Sequence, residues 1–271
     1  MENSARHNRL LGEHGIAYWI ETGSRRVLFD TGQGMALVPN TDRLQIPLDQ
    51  AEAVVLSHGH YDHTGGVADA LRASLKAAVF AHPAAFERKY ARDFDGTIRD
   101  IGIPESGIEA IRAGDHEIVD TASSTEVADG LFVTGEIPRV TDFEDTGGPF
   151  YSDPKCRHPD PLLDDQALYF DSNRGVVVLL GCAHAGVGNT LRRVRQLTGD
   201  TPIHAVIGGM HLGNASDERL GKTVDYFREL GTEVVAPAHC TGMAATIALS
   251  RAFPARLALC ETGTVMEFEA P

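Results

Sequence analysis

Four potential metal ligands stand within six residues in the segment Ser57-His58-Gly59-His60-Tyr61-Asp62-His63. The run from Ala53 to Ser57 has the length and apolar composition of a buried strand, and residues 66–78 carry apolar side chains at helical spacing. Zinc prefers neutral imidazoles and carboxylates as ligands. Histidines on a polar surface loop are the alternative, but this density of ligand-type residues after a buried strand favours metal. We therefore predict that His58, His60, Asp62 and His63 bind metal.

Strand and helix patterns extend to both sides of this segment. Two β-branched and aromatic runs, Gly15 to Glu21 and Arg26 to Asp30, flank Thr22-Gly23-Ser24 and predict a hairpin. A second hairpin is predicted from residues 167–170 and 176–180. Further strands are predicted at 79–81, 116–119, 131–134, 203–207 and 233–236 and near Leu257 and Val265, with helices at about 189–197 and 220–230 and from about 241.

The order of these elements predicts an α/β fold. Two sheets packed face to face with helices outside would fit, but periodicity alone equally allows a three-layer doubly wound fold. At 271 residues the chain is long enough for one sizeable core. We predict a single domain over residues 1–271, with an irregular, insertion-like region at about 83–165.

Composition excludes several classes of protein. The chain is 42% hydrophobic and 23% charged, with no apolar run that would span a bilayer, so no membrane partner is expected. The polar start lacks the apolar stretch of a secretory signal, and the four cysteines are widely spaced, which predicts a cytoplasmic protein with reduced thiols. A formal charge of −14 disfavours a nucleic-acid partner.

The pattern H-x-H-x-D-H at His58, His60, Asp62 and His63 resembles the metallo-β-lactamase superfamily, as does Leu28-Phe29-Asp30-Thr31-Gly32 before it. This resemblance implies a four-layer αββα sandwich of two mixed β-sheets with helices on the outer faces. It also implies that Asp30 supports the metal loop from behind the ligands.

Five further segments are similar to one subgroup, named for dihydropterin-ribofuranosyl-aminobenzene phosphate synthase. They are Glu13-His14-Gly15, Leu28 to Gly34, Gly181 to Gly186, Gly208 to Leu212 and His239 to Gly242.

The resemblance implies further ligands from later strands. His184 is the candidate for a third imidazole at the first metal, and His239 for the last ligand; a helix-capping role is the alternative for His184. Many members place an Asp between the metals, in a Gly-Asp turn, but the matching turns here read Gly135-Glu136 and Gly181-Cys182. Either Glu136 or Cys182 bridges, or a water does, or the second site is the weaker one.

Other residues are candidates for contacting substrate. His211 follows a predicted strand in a Gly-Gly-Met-His turn, where α/β proteins present ligand-contacting groups, and is interpreted as a catalytic and substrate-binding residue. His82 and Arg139 are weaker candidates for an anionic substrate, with a solvated surface charge as the alternative for Arg139. Asp62 is the catalytic residue expected to align the attacking water.

Three functions stay open. The first is a hydrolase that uses a zinc-bound hydroxide on a small ester, lactone or phosphodiester. The second is a synthase-like transferase that condenses a pterin with an aminobenzene ribose phosphate, as the subgroup name implies. The third is a metal-holding sensor without turnover. One or two zinc ions are expected, with Mn or Fe as alternatives, while His60 argues against the diiron redox relatives, which carry a Glu at that position.

The resemblance also suggests that a first strand before Glu2-Asn3 is missing. An open sheet edge invites pairing with another chain, so a homodimer is predicted. The acidic chain has no room for the cap domain or basic arm of related nucleases, which favours a small-molecule substrate.

Overall fold

The structure, a computed structural model, describes residues 1–271. It contains 14 strands and seven α-helices in a mixed order. The strands are β1 Tyr18–Thr22, β2 Arg25–Phe29, β3 Ala53–Val55, β4 Ala78–Ala81, β5 Tyr90–Arg92, β6 Ile98–Asp100, β7 Ile118–Asp120, β8 Thr125–Ala128, β9 Leu131–Val133, β10 Phe150–Tyr151, β11 Ala167–Ser172, β12 Gly175–Leu180, β13 Ile203–Gly209 and β14 Val234–Ala238. The helices are α1 Leu37–Leu44, α2 Tyr61–Thr64, α3 Val67–Ala73, α4 Glu105–Ala113, α5 Val187–Leu197, α6 Asp217–Leu230 and α7 Met243–Ala252.

Five strands form the first sheet, in the order β1-β2-β3-β4-β7. β1 and β2 form the first predicted hairpin, and β2, β3, β4 and β7 run parallel. The carboxyl ends of β2, β3 and β4 therefore meet at one edge, where the metal motif follows β3.

Six strands form the second sheet, in the order β14-β13-β12-β11-β9-β8. β12, β13 and β14 are parallel, and the antiparallel pair β11 and β12 confirms the second predicted hairpin. Both sheets are mixed, as predicted.

Three groups of buried side chains define the layers. Side chains of both sheets, such as Phe29 and Val55 from one and Leu168 and Ile207 from the other, fill the space between them. The outer face of the first sheet packs against α1, α3 and α4, and that of the second packs against α5, α6 and α7. The resulting αββα order confirms the predicted four-layer sandwich and excludes the three-layer alternative.

The central strands are buried on both faces, because one face packs against helices and the other against the second sheet. In β12, Val176, Val178 and Leu180 face the helices, whereas Val177 and Leu179 face the other sheet. Such a strand appears in the sequence as one continuous apolar run.

Residues 83–165 contain more regular structure than predicted. They hold β5 to β10 and α4, and β10, β5 and β6 form a separate three-stranded sheet. These strands have only two or three residues each, too few to show a period.

The predicted strands near Leu257 and Val265 are absent. Leu257 makes only an isolated bridge with Val235, beside β14. None of the helices combines the length and apolarity needed to span a membrane.

Candidate metal centre

The carboxyl ends of four strands bring the candidate ligands together, and the supporting residue Asp30 follows a fifth strand, β2. His58 follows β3, Cys182 and His184 follow β12, His211 follows β13 and His239 follows β14. Several residues at these strand ends have left-handed backbones that are unusual for side chains other than glycine: φ is 57° at Asp30, 54° at Ala183, 44° at His211 and 48° at His239. Such conformations concentrate at functional sites, where packing holds them in place.

His58, His60 and His184 form the first ligand group. Their ligand atoms all lie within 4.8 Å of one another, and His58 Nε2 is 3.0 Å from His60 Nδ1. All three residues are buried. His184 Nε2 has no hydrogen-bond partner, although His184 Nδ1 is 2.8 Å from the Thr146 carbonyl.

Asp62, His63 and His239 form the second group. Asp62 Oδ2 lies 3.9 Å from His63 Nε2 and 3.3 Å from His239 Nε2. His63 Nδ1 contacts Asp30 Oδ2 at 2.7 Å, and His239 Nδ1 contacts Asn3 Oδ1 at 3.0 Å. Asp30 therefore contacts a candidate ligand from outside the cluster, in the position that the resemblance implies for it.

Cys182 lies between the two groups. Its Sγ is 3.1 Å from His63 Nε2, and it is within 4.8 Å of ligand atoms of His58, His184 and His239. Burial raises the pKa of its thiol well above the usual range. A thiol that coordinates a metal loses its proton outright, so the sulfur is available as a thiolate only in the loaded site.

The ring orientations fit a metal centre. One ring nitrogen of His58, His63, His184 and His239 is anchored outward, by Ser57 Oγ, Asp30, the Thr146 carbonyl and Asn3 respectively. The other nitrogen of each faces the cluster, as metal-bound imidazoles do. The buried Nε2 atoms of His184 and His239 have no hydrogen-bond partner and could each coordinate a metal ion through the nitrogen lone pair.

The protonation states of the three histidines of the first group and of Asp62 suit metal binding. Burial lowers the pKa of His60 to about 3 and that of His58 and His184 well below the usual range. Burial opposes ionisation of Asp62, but His63, His14 and His239 outweigh it and hold its pKa well below the usual range. The first group thus offers neutral imidazoles and the second a carboxylate, the forms that bind divalent ions.

His211 lies beside the first group. Its ring centroid is 4.3 Å from that of His184, and its buried Nδ1 has no partner. Phe150 of β10 covers the same side, with ring centroids 5.0 Å from His60 and 5.9 Å from His211. The structure therefore brings the predicted substrate residue His211 to the metal cluster.

Three other candidate site residues, Glu136, His82 and Arg139, belong to neither ligand group. Glu136 is exposed and belongs to none of the ligand groups, so the structure does not support it as a bridge; the preceding Gly135 turns at φ 66° against Ser123. His82 Nδ1 accepts a hydrogen bond from the Ala84 N–H at 3.1 Å, which caps a short 3₁₀ turn. The Arg139 guanidinium donates to the carbonyls of Pro161 and His184 and so braces the His184 loop.

Sequence reasoning missed residues that support the ligand loops from residues 83–165. Lys89 is only 2% exposed and contacts Asp160 at 3.2 Å and Asp164 at 2.9 Å. The neighbouring Asp165 accepts from the Ala185 N–H at 2.8 Å, and burial raises its pKa to about 7. The adjacent pair Asp164-Asp165, before an apolar strand, was the available signal.

Comparison with known proteins agrees with this geometry. The family model of the metallo-β-lactamase superfamily matches residues 12–239. This chain belongs to that superfamily.

Three known proteins are similar to nearly the whole length of this chain. An uncharacterized protein of Methanocaldococcus jannaschii, MJ0448, is 32% identical over 253 residues, which cover 93% of this chain and 92% of that protein. The 7,8-dihydropterin-6-methyl-4-(β-D-ribofuranosyl)-aminobenzene-5'-phosphate synthase of the same organism is 26% identical over 94% of this chain and 90% of its own length. The crystal structure of Tm1679, described as a metal-dependent hydrolase of the β-lactamase superfamily, has a TM-score of 0.82 and 29% identity over 99% of this chain and 96% of that one.

Proposed function

We propose that this protein is a metal-dependent hydrolase of a small ester, lactone or phosphodiester, with two zinc ions bound at the strand ends. His58, His60 and His184 would hold the first ion, and Asp62, His63 and His239 the second. The single observation that carries the proposal is a continuous set of buried ligand atoms: those of His58, His60 and His184 lie within 4.8 Å of one another, Asp62 Oδ2 lies 3.9 Å from His63 and 3.3 Å from His239, and Cys182 lies near both groups.

In this proposal, Cys182 would contribute its sulfur to both metal sites. Its sulfur is near ligands of both groups, and Gly181-Cys182 is one of the two turns that the resemblance matches to the Asp-bearing turn of the family. A Cβ on Gly181 would collide with the Ser57 hydroxyl, so the glycine lets this turn pack directly against the metal loop.

The chemistry follows from the centre and the residues around it. A bound divalent ion supplies a water of lowered pKa and polarises the bond that is attacked. The buried, ionised carboxylate of Asp62 would accept a hydrogen bond from the attacking water and so orient it. His211, which lies beside His184, is the candidate to contact an oxygen of the substrate, and the Phe150 ring covers the same side of the cluster.

A panel of phosphodiesters, lactones and esters tests the hydrolase. Zinc-loaded protein should turn over at least one substrate class, and His60→Ala should abolish that turnover. His158→Ala is the matched control, because His158 is an exposed histidine outside the cluster. Full zinc occupancy with no turnover on the panel would contradict the hydrolase.

The long match to the pterin synthase supports a second candidate, a transferase that condenses a pterin diphosphate with an aminobenzene ribose phosphate. Product formation that depends on the pterin diphosphate would support it over the hydrolase. Metal binding without turnover in either assay would leave only the sensor role.

A further inference from the structure

His14 lies at the second ligand group, although it is not among the ligands assigned so far. Its Nε2 is 3.2 Å from Asp62 Oδ2, and its ring centroid is 5.0 Å from that of His239. The ligand atoms of His14, Asp62 and His239 all lie within 4.8 Å of one another. His14 is the exposed member of this set, with 56% of its side chain accessible, whereas Asp62 and His239 are buried.

The spacing of these atoms matches a coordination shell. Neighbouring ligands that bind one zinc ion at about 2.0–2.1 Å lie about 3–3.5 Å apart in a four- or five-coordinate shell. Asp62 Oδ2 is 3.2 Å from His14 Nε2 and 3.3 Å from His239 Nε2. The buried His239 Nε2 makes no hydrogen bond in this arrangement, so it points into the site with its polar atom unpartnered.

The residues on both sides of His14 fix its position. The buried Glu13 carboxylate accepts hydrogen bonds from four consecutive backbone N–H groups, those of residues 33–36, at 2.8–3.2 Å. Gly15 has φ 144°, and a Cβ there would collide with the Asp62 carbonyl.

Asn3 connects the segment Glu13-His14-Gly15 to the ligand His239. Its Oδ1 accepts from the Gly15 N–H at 3.1 Å and also contacts His239 Nδ1 at 3.0 Å. The segment Glu13-His14-Gly15 is thus clamped on both sides and held at a fixed distance from Asp62 and His239.

We propose that His14 is an additional ligand of the second metal ion, supplied by the N-terminal segment. This inference rests on the proposed two-metal centre. As the exposed ligand of that ion, His14 lies where an incoming substrate would reach the metal and compete for its coordination position.

Metal titration of metal-free protein tests this assignment without any activity assay. Two equivalents of Co²⁺ should bind to the unaltered protein, and His14→Ala should keep the first but bind the second at least about 10-fold more weakly, with a changed visible spectrum. His7→Ala, a change of an exposed histidine in the same segment, should leave both equivalents and the spectrum unaltered.

His14→Gln separates coordination from a simple hydrogen bond to Asp62. A glutamine amide still donates to the carboxylate but is a poor ligand, so His14→Gln should behave like His14→Ala. Restoration of the second equivalent by glutamine, or unchanged binding in both variants, would overturn the proposal and leave the two-metal centre intact. A single equivalent in the unaltered protein would overturn both.

Discussion

The Asp164 carboxylate accepts a hydrogen bond from the Gly59 N–H at 2.8 Å, between the ligands His58 and His60. Its other oxygen contacts the buried Lys89 ammonium at 2.9 Å. Because the next residue, Asp165, holds the Ala185 N–H, one dipeptide braces the ligand loops of both sheets. The region that looked least ordered in the sequence thus positions the metal centre.

Replacing Lys89 should destabilise the fold strongly. Lys89→Met removes the cation from the buried Asp160 and Asp164 carboxylates, and an uncompensated buried charge costs about 3–5 kcal/mol. Denaturant unfolding of the metal-free protein measures this change. The control Arg88→Ala breaks only exposed ion pairs and should cost less than about 1 kcal/mol. Equal effects of the two variants would contradict a structural role for Lys89.

Removing Asp165 should weaken the first metal site. Asp165→Ala frees the Ala185 N–H beside His184, and loss of such a supporting contact typically lowers metal affinity about 10–100-fold. Competition with a zinc chelator measures the affinity. Asp171→Ala, which changes an exposed aspartate of β11, should have no effect. Unchanged zinc affinity in Asp165→Ala would show that the turn at His184 keeps its position without the Asp165 hydrogen bond.

Some of this site is predictable from local sequence and some is not. The motif at residues 58–63 is local, because one strand end and one short helix carry all four ligands. The choice between Glu136 and Cys182 is not local: both follow a glycine after a strand, and only the packing of the two sheets decides which turn faces the metal loop. The buried ion pairs of Lys89 could not be predicted from local sequence either, since its partners lie more than 70 residues away.

Glu13 should stabilise the protein through its carboxylate charge. Glu13→Gln removes the charge that accepts four backbone hydrogen bonds, and charge-assisted bonds contribute about 1.5–3 kcal/mol. Thermal or denaturant unfolding should show a loss of that order. Glu229→Gln, at an exposed position of α6, provides the control. A loss of unfolding free energy no larger than that of the control would show that the Glu13 carboxylate does not stabilise residues 33–36.

The stability of the metal-free protein should fall as pH rises from 6.5 to about 9. Burial opposes protonation of His63, but Asp30 and Asp62 outweigh it and raise its pKa from 6.5 to about 9. The folded state therefore binds a proton that the unfolded state has released in this window, so its advantage is complete below pH 6.5 and lost through pH 9.

Asp30→Asn tests the source of that pH dependence. Without the Asp30 charge, the pKa of His63 should lie closer to its ordinary value, and the loss of stability above pH 6.5 should become shallower. Unfolding free energies measured across this range compare the two proteins. An identical slope in both would contradict the role of Asp30.

X-ray absorption at the zinc edge, combined with anomalous diffraction from zinc-loaded crystals, tests the two-metal centre most directly. We expect two zinc ions about 3.5–4 Å apart, with the Cys182 sulfur at about 2.3 Å from each and the sulfur signal absent in Cys182→Ser. A single ion, or two ions without sulfur in their coordination shells, would contradict the proposed centre.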